Sequence, residues 1–329
     1  MEKERRPSVA LLWGGRGHES EVSRRGKEHI LPVLSEKYNI LSTFIDKNGD
    51  WNTDFGKVFA TSGGFYCIER QKFYAIDCAI PLLHGDFGED GVVQGALENA
   101  RIPYIGCDTS ASAVCRDKSF VKTQAVWLGI PTLPHLLVFA DEGVDFALRR
   151  AEGEIGYPAF VKPARLGSSV GASAAYNKFE LTRALSSAFS LCERVIIEPC
   201  LECKRELECG YFSAGGRELY TYPGEILLGG TYGYKEKYLT DTRLSIRADL
   251  PREIADSIRD YSRSLVRALG IRDISRIDFF LSGERIYLNE INTLPGFTEG
   301  SLYAKMIEAA GISLTELFGR LINKAMARA

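Results

Sequence analysis

Two carboxylates and an amide are spaced to share one face of a hairpin in the last sixth of the sequence. Arg276-Ile277-Asp278-Phe279-Phe280-Leu281 leads through Ser282-Gly283-Glu284 into Ile286-Tyr287-Leu288-Asn289-Glu290-Ile291-Asn292. With a strand period of two, Arg276 and Asp278 share a face, as do Glu290 and Asn292. If the chain reverses at Ser282–Glu284, those faces coincide and Asp278 lies opposite or diagonal to Glu290. Two carboxylates and an amide oxygen form a hard-oxygen set suited to Mg²⁺, with nucleotide phosphates completing the shell. Spacing alone leaves open a solvated face with an Arg–carboxylate pair worth about 0–1 kcal/mol. The turn that follows, Thr293-Leu294-Pro295-Gly296-Phe297-Thr298, favours the chemical reading, because it can aim a backbone N–H at a reacting oxyanion.

A second pattern is Phe160-Val161-Lys162-Pro163-Ala164-Arg165-Leu166-Gly167-Ser168-Ser169-Val170-Gly171. Here a lysine at a strand end precedes a small-residue loop rich in N–H and hydroxyl donors, which can fold over phosphate oxygens. It is neither a Walker A motif nor the dinucleotide fingerprint GxGxxG. Taken alone, a surface hairpin turn explains it equally well.

These residues need elements to hold them. Strand patterns at Ser8–Trp13, Ile40–Ile45, Cys78–Leu83 and Pro103–Ile105 alternate with helical stretches at Ser20–Leu34 and Gly91–Asn99. That alternation predicts an α/β fold with a parallel, doubly wound sheet over the first hundred residues. Ligands on such sheets gather at the carboxyl ends of strands, where Gly14-Gly15 and His84-Gly85 fall. Beyond residue 107 the pattern predicts a helix at Asp117–Leu128, strands near His135–Phe139 and Ala159–Lys162, a helix at Lys178–Phe189 and a strand at Val195–Glu198. Strands near Leu207–Ser213 and Leu219–Pro223 come next, then a Gly/Tyr/Lys-rich loop at Gly229–Thr240. A helix at Arg252–Leu269, the hairpin Ser275–Ile291 and two terminal helices complete the chain.

At 329 residues the chain calls for two or three domains. Apolar residues at 45% and charged residues at 26% match an ordinary globular protein. A net charge of −2 gives no general attraction to nucleic acid or an anionic membrane. The apolar run Val9–Trp13 is too short for a signal-peptide core or a membrane span. Eight cysteines lack paired ligand spacing, and the single CxxC, Cys200 to Cys203, has no second pair. They read as reduced thiols of a cytoplasmic protein.

Over essentially its whole length the chain resembles the D-alanine–D-alanine ligases of the ATP-grasp superfamily. The likeness rests on short blocks in a fixed order: Gly14-Gly15 with Glu19-Ser20-Glu21-Val22-Ser23; His84-Gly85 with Gly88-Glu89-Asp90-Gly91; Gly106-Cys107-Asp108; Asp117-Lys118; and Val161-Lys162-Pro163 with Gly167–Gly171. It continues through Arg205-Glu206-Leu207-Glu208, Glu236-Lys237-Tyr238, Arg276-Ile277-Asp278 and Asn289–Thr298.

The resemblance implies a three-domain ATP-grasp architecture divided at 1–106, 107–205 and 206–329. It implies that ATP is held by Lys118, Lys162, Ser169 and Lys237 at the phosphates, by Glu198 and Leu201 at adenine, and by Glu206 at ribose. Two Mg²⁺ ions, replaceable by Mn²⁺, would sit on Asp278, Glu290 and Asn292. Glu19 would meet the ammonium of the first D-alanine through a trio with Ser168 and Tyr238, with His84 alongside. Arg276 and the Gly296 N–H would stabilise the oxyanion, and Ser301 with Leu302 would seat the second substrate's carboxylate. It further implies a bacterial cytoplasmic homodimer that makes a peptidoglycan precursor and uses neither nucleic acid nor membrane. Three features depart from the commoner pattern: Pro199 after Glu198, an apparent insertion at Cys203-Lys204, and Glu299-Gly300 before Ser301. The last leaves a D-serine acceptor as the alternative. A D-lactate acceptor is disfavoured by Lys237-Tyr238, and a non-catalytic ATP-binding relative by the presence of Lys118, Lys162, Asp278 and Glu290.

Overall fold

The computed structural model describes residues 5–17, 19–201, 204–227 and 243–328. Lys237 and Tyr238 therefore lie outside the described residues. Three sheets organise the described residues.

The first sheet is built from β1 (Ser8–Gly14), β2 (Asn39–Ile45), β3 (Trp51–Thr53), β4 (Gly56–Thr61), β5 (Gly64–Cys67), β6 (Lys72–Ala75) and β7 (Cys78–Pro81), ordered β6-β5-β4-β3-β2-β1-β7. Only β1, β2 and β7 run parallel. Alternate residues of β1 face opposite cores. Val9 and Leu11 pack with Ile30 and Leu34 of α1 (Ser20–Ser35), whereas Ala10 and Leu12 pack with Val93 and Leu97 of α2 (Val92–Asn99). A central strand covered on both faces is apolar throughout, as β1 is. The parallel, doubly wound part is thus present but small, and an antiparallel meander, β3 to β6, extends it. Pro103–Ile105 forms no strand; Tyr104 makes only an isolated parallel bridge to Ala79.

Helix α3 (Thr109–Arg116), absent from the sequence reading, precedes α4 (Lys118–Trp127), the helix expected at Asp117–Leu128, whose start is fixed by Asp117 accepting the Ser119 N–H at 3.0 Å. The second sheet, β10-β9-β11-β8, comprises β8 (Leu136–Phe139), β9 (Ala159–Pro163), β10 (Ser173–Ala175) and β11 (Arg194–Pro199). Its apolar face packs on α5 (Val144–Glu154) and α6 (Lys178–Phe189).

The third sheet contains β12 (Arg205–Ala214), β13 (Arg217–Tyr220), β14 (Gly224–Leu227), β15 (Arg243–Ser245), β16 (Ile274–Ser282) and β17 (Arg285–Asn292). Its order is β15-β14-β12-β16-β17, with β13 also paired to β12. Leu207, Cys209, Ile277, Phe279 and Leu288 turn toward α7 (Arg252–Ala268) and α4. Strand alternation therefore sends Glu206, Glu208, Asp278 and Phe280 to the opposite face. Helices α8 (Leu302–Ala309) and α9 (Leu314–Met326) close the chain, and α9 packs against the first sheet and α1. Among the described residues no helix is long and apolar enough to cross a membrane, and Cys67, Cys78, Cys107, Cys115, Cys192 and Cys209 are thiols outside any disulfide.

Candidate active site

A cavity of about 560 Å³ opens between the second and third sheets. Phe160, Leu133, Ala174 and Phe280 give it apolar walls, and Lys118, Lys162, Ser169, Glu198, Leu201, Glu206, Asp278 and Glu290 reach it as well. Apolar walls with a few convergent polar groups suit a flat ring carrying a charged tail. Lys162 and Glu198 sit diagonally on β9 and β11, since Ile196 is the residue opposite Lys162. Their side chains meet at 2.5 Å. The other Glu198 oxygen lies 2.5 Å from Lys122, a fully buried residue on α4 one turn after Lys118. Burial alone would raise the Glu198 pKa, but the ammonium groups of Lys162 and Lys122 overcome it and hold the carboxyl at about 2. Lys118 donates to the Leu166 carbonyl at 2.6 Å and pairs with Glu290 at 3.2 Å. Burial pulls its pKa below the usual lysine range despite Glu290.

The hairpin face is built as spacing anticipated, with one refinement. Ser282 pairs with Arg285, so a regular ladder would set Asn289 opposite Asp278. A bulge between Asp278 and Phe279 instead brings Glu290 directly opposite Asp278 and leaves Asn289 as the extra residue. Asn289 then accepts from Lys162 at 3.2 Å. Arg276 holds Asp278 through two bonds of 2.8 and 2.7 Å, and Asn292 donates to Asp278 at 3.0 Å. Glu208, the residue opposite Asp278 on β12, lies 3.3 Å from Arg276. Three acids thus cross adjacent strands, and Arg276 and Lys118 answer them. Burial would lower the Arg276 pKa; Asp278 and Glu208 drive it well above the usual range instead. Among the described residues no group of three or more His, Cys, Asp or Glu converges as a metal site. The donor set is two carboxylates and an amide, with Asp278 held by Arg276 and Asn292 and Glu290 paired with Lys118, and such hard oxygens fit Mg²⁺ when phosphates supply further ligands.

A second cavity of about 360 Å³ adjoins the first and shares Gly167, Ser168, Glu208, Ile226 and Glu290 with it. Glu19, His84, Ser168, Arg276, Asn292, Gly296, Ser301 and Leu302 all line it. The Ser168 hydroxyl donates to Glu19, so two members of the expected trio meet; Tyr238 lies outside the described residues. Ser168 and Ser169 both adopt left-handed backbone, with φ of 52° and 58°, a conformation that turns successive N–H groups to one side. At Gly85 any Cβ would stand 2.5 Å from a Glu19 oxygen, so only glycine lets Glu19 occupy its place. The Ser301 hydroxyl accepts the Thr298 N–H at 2.9 Å instead of capping its own helix. The first turn of α8 therefore lacks a side-chain cap, the kind of helix end that holds a carboxylate.

Several lining or supporting residues escaped the sequence reading. Lys122 had a signal, its i+4 spacing from Lys118 on one helix face. Glu208 had one too, two residues after Glu206 on the same strand face. Glu89 is buried behind His84, accepts the Gly85 N–H at 2.9 Å and faces Arg116 at 3.6 Å; burial raises its carboxyl, against Arg116 and His84. Arg116 and Asn289 carried no signal, because their roles come from chain crossing and from the bulge.

A lysine-lined cavity under a Gly/Ser loop, with paired acids across it and a second polar cavity beyond, defines an ATP-grasp type of enzyme. The family models for the D-ala D-ala ligase N-terminus and C-terminus match residues 8–107 and 126–323. The chain is 41% identical to the D-alanine–D-alanine ligase of Solibacter usitatus over 97% of this chain and 95% of that protein. Identity to the corresponding ligase of Caldicellulosiruptor bescii is 37%, over 97% of this chain and 94% of that one. Among solved structures, D-alanyl-alanine synthetase A from Vibrio cholerae superposes with a TM-score of 0.89 at 31% identity, covering 98% of this chain and 99% of that one. The VanG D-Ala:D-Ser ligase from Enterococcus faecalis gives 0.88 at 28% identity, covering 98% and 100%. The chain belongs to the D-alanine–D-alanine ligase family.

Proposed function

We propose that this chain joins two D-alanine molecules at the expense of ATP, through an acyl phosphate, to supply a peptidoglycan precursor. The observation that carries the reading is the acid pair Asp278–Glu290 facing the Gly167–Gly171 loop across a cleft, with Lys118 and Lys162 between them. A carboxylate oxygen of the first D-alanine attacks the γ-phosphorus, the bond to the β,γ-bridging oxygen breaks, and ADP leaves. The amine of the second D-alanine then attacks the acyl carbon, loses a proton, and expels phosphate.

The chain's residues position and neutralise. Lys118, Lys162, Ser169 and Lys237 hold phosphate oxygens; Glu198 and Leu201 meet adenine, and Glu206 meets ribose. Asp278, Glu290 and Asn292 would hold Mg²⁺, which supplies positive charge against the phosphates. Glu19, oriented by Ser168 and Tyr238, takes the first ammonium, with His84 beside it. Arg276 and the Gly296 N–H face the oxyanion, and Ser301 with the start of α8 at Leu302 seats the second carboxylate. The loop at 167–171 excludes water, which would hydrolyse the acyl phosphate. Three units, 1–106, 107–205 and 206–329, close on one another in a cytoplasmic homodimer under this reading.

Purified protein with ATP, Mg²⁺ and D-alanine should release phosphate. Asp278→Ala or Glu290→Ala should abolish that release while leaving the circular dichroism spectrum intact; normal turnover would remove the metal assignment. A D-serine acceptor is the second reading, favoured by Glu299-Gly300 before Ser301, where a Cβ on Gly300 would stand 4.0 Å from the Thr298 hydroxyl oxygen. Faster turnover with D-serine than with D-alanine as acceptor would select it.

A further inference from the structure

We infer that Lys122 is a positioning residue that keeps Glu198 paired so that Lys162 can leave it for the nucleotide phosphates. The inference rests on the ATP-binding reading of the larger cavity. Lys122 lines neither cavity, so it acts on a ligand only through a neighbour. Its side chain is 1% exposed, as is that of Glu198. The two ammonium groups lie on different oxygens of Glu198, each at 2.5 Å. The Lys122 contact is an ion pair without aligned hydrogen-bond geometry, since that oxygen has no hydrogen-bond partner among the described residues. Lys122 also approaches the Leu288 carbonyl at 3.5 Å, at the start of the bulged segment.

Two cations on one buried carboxylate leave an excess positive charge that a polyanion can take. Lys162 is the one that can move, because it lines the cavity and Lys122 does not. Without Lys122, drawing Lys162 outward would strand Glu198 as an uncompensated buried charge, the costly outcome for a broken interior pair. Lys162 would then stay on Glu198 and leave the phosphates less well held.

The discriminating measurement is the ratio of dissociation constants for adenosine and for ATP–Mg²⁺, by titration calorimetry on the full-length protein. Adenosine makes no demand on Lys162; ATP does. In Lys122→Met the ratio should fall about ten-fold or more, chiefly through weaker ATP binding. Lys122→Arg should keep most of it. Adding Glu198→Gln to Lys122→Met should restore the ratio, since a neutral amide no longer retains Lys162. An unchanged ratio in Lys122→Met, or an equal weakening of both ligands, would overturn the inference. If Lys122→Met does not fold, Glu198→Gln is compared with Glu198→Gln/Lys122→Met; equal ratios support the inference and a drop in the double variant overturns it. Wild-type protein that binds no ATP would instead remove the nucleotide reading itself.

Discussion

Glu198 shows how a single residue couples stability to the site. Its carboxyl titrates at about 2 in the folded chain against 4.5 as its ordinary value, because Lys162 and Lys122 outweigh burial. As pH falls, the unfolded chain takes up this proton first. The stabilisation is therefore complete above pH 4.5 and is lost as pH approaches about 2. Glu198→Gln should flatten that part of the acid-unfolding profile, measured by circular dichroism from pH 5 to 2; a profile unchanged in slope would contradict the pairing. Residue types and spacing were enough to pick out Lys162, Asp278 and Glu290 as candidates, whereas Lys118 came only with the family resemblance. Lys122 was overlooked because a buried lysine on a helix reads like any solvated one until its partner, 76 positions away in the chain, is placed beside it.

Among elements, the hairpin of β16 and β17 was legible because strand alternation and a turn at Ser282–Glu284 fix its faces. Its bulge was not, since nothing in Leu288-Asn289-Glu290 announces an extra residue. The meander of β3 to β6 was missed although Asn48-Gly49 and Ser62-Gly63-Gly64 are turn signals, because the intervening strands are short and half exposed. The loop at 167–171 has its own tight requirement. Gly171 has φ of +71°, and a Cβ there would stand 2.7 Å from Leu191 and 3.0 Å from Pro163. Gly171→Val should strain the loop by about 1–3 kcal/mol and raise KM for ATP in steady-state assays more than it lowers kcat. Equal KM values would show that the loop's shape does not matter to nucleotide binding.

For the molecule as a whole, one buried acid ties distant parts together. Asp273, fully buried with φ of 66°, accepts the Gly106 N–H at 2.9 Å and two bonds from Arg328 at 2.8 Å, and pairs with Lys324 at 3.1 Å. Arg328 also donates to the Tyr104 carbonyl at 2.7 Å. Arg328→Ala should cost about 1–3 kcal/mol and lower the melting temperature by several degrees in a thermal scan, with Lys324 left as the partial counter-charge. An unaltered melting temperature would show that the anchor contributes nothing. Such a junction joins residues more than two hundred apart, which sequence periodicity does not reveal.

The two cavities have a common wall at Ser168, Glu208 and Glu290. A single compound carrying a purine mimic at one end and an amino-acid mimic at the other could bridge the two cavities along that wall. Tethering the halves would spare one of them the entropy of separate capture, so a bipartite inhibitor should bind far more tightly than either fragment. A substitution at Glu208 or Glu290 that evaded it would disturb both cavities at once, which narrows the routes to resistance.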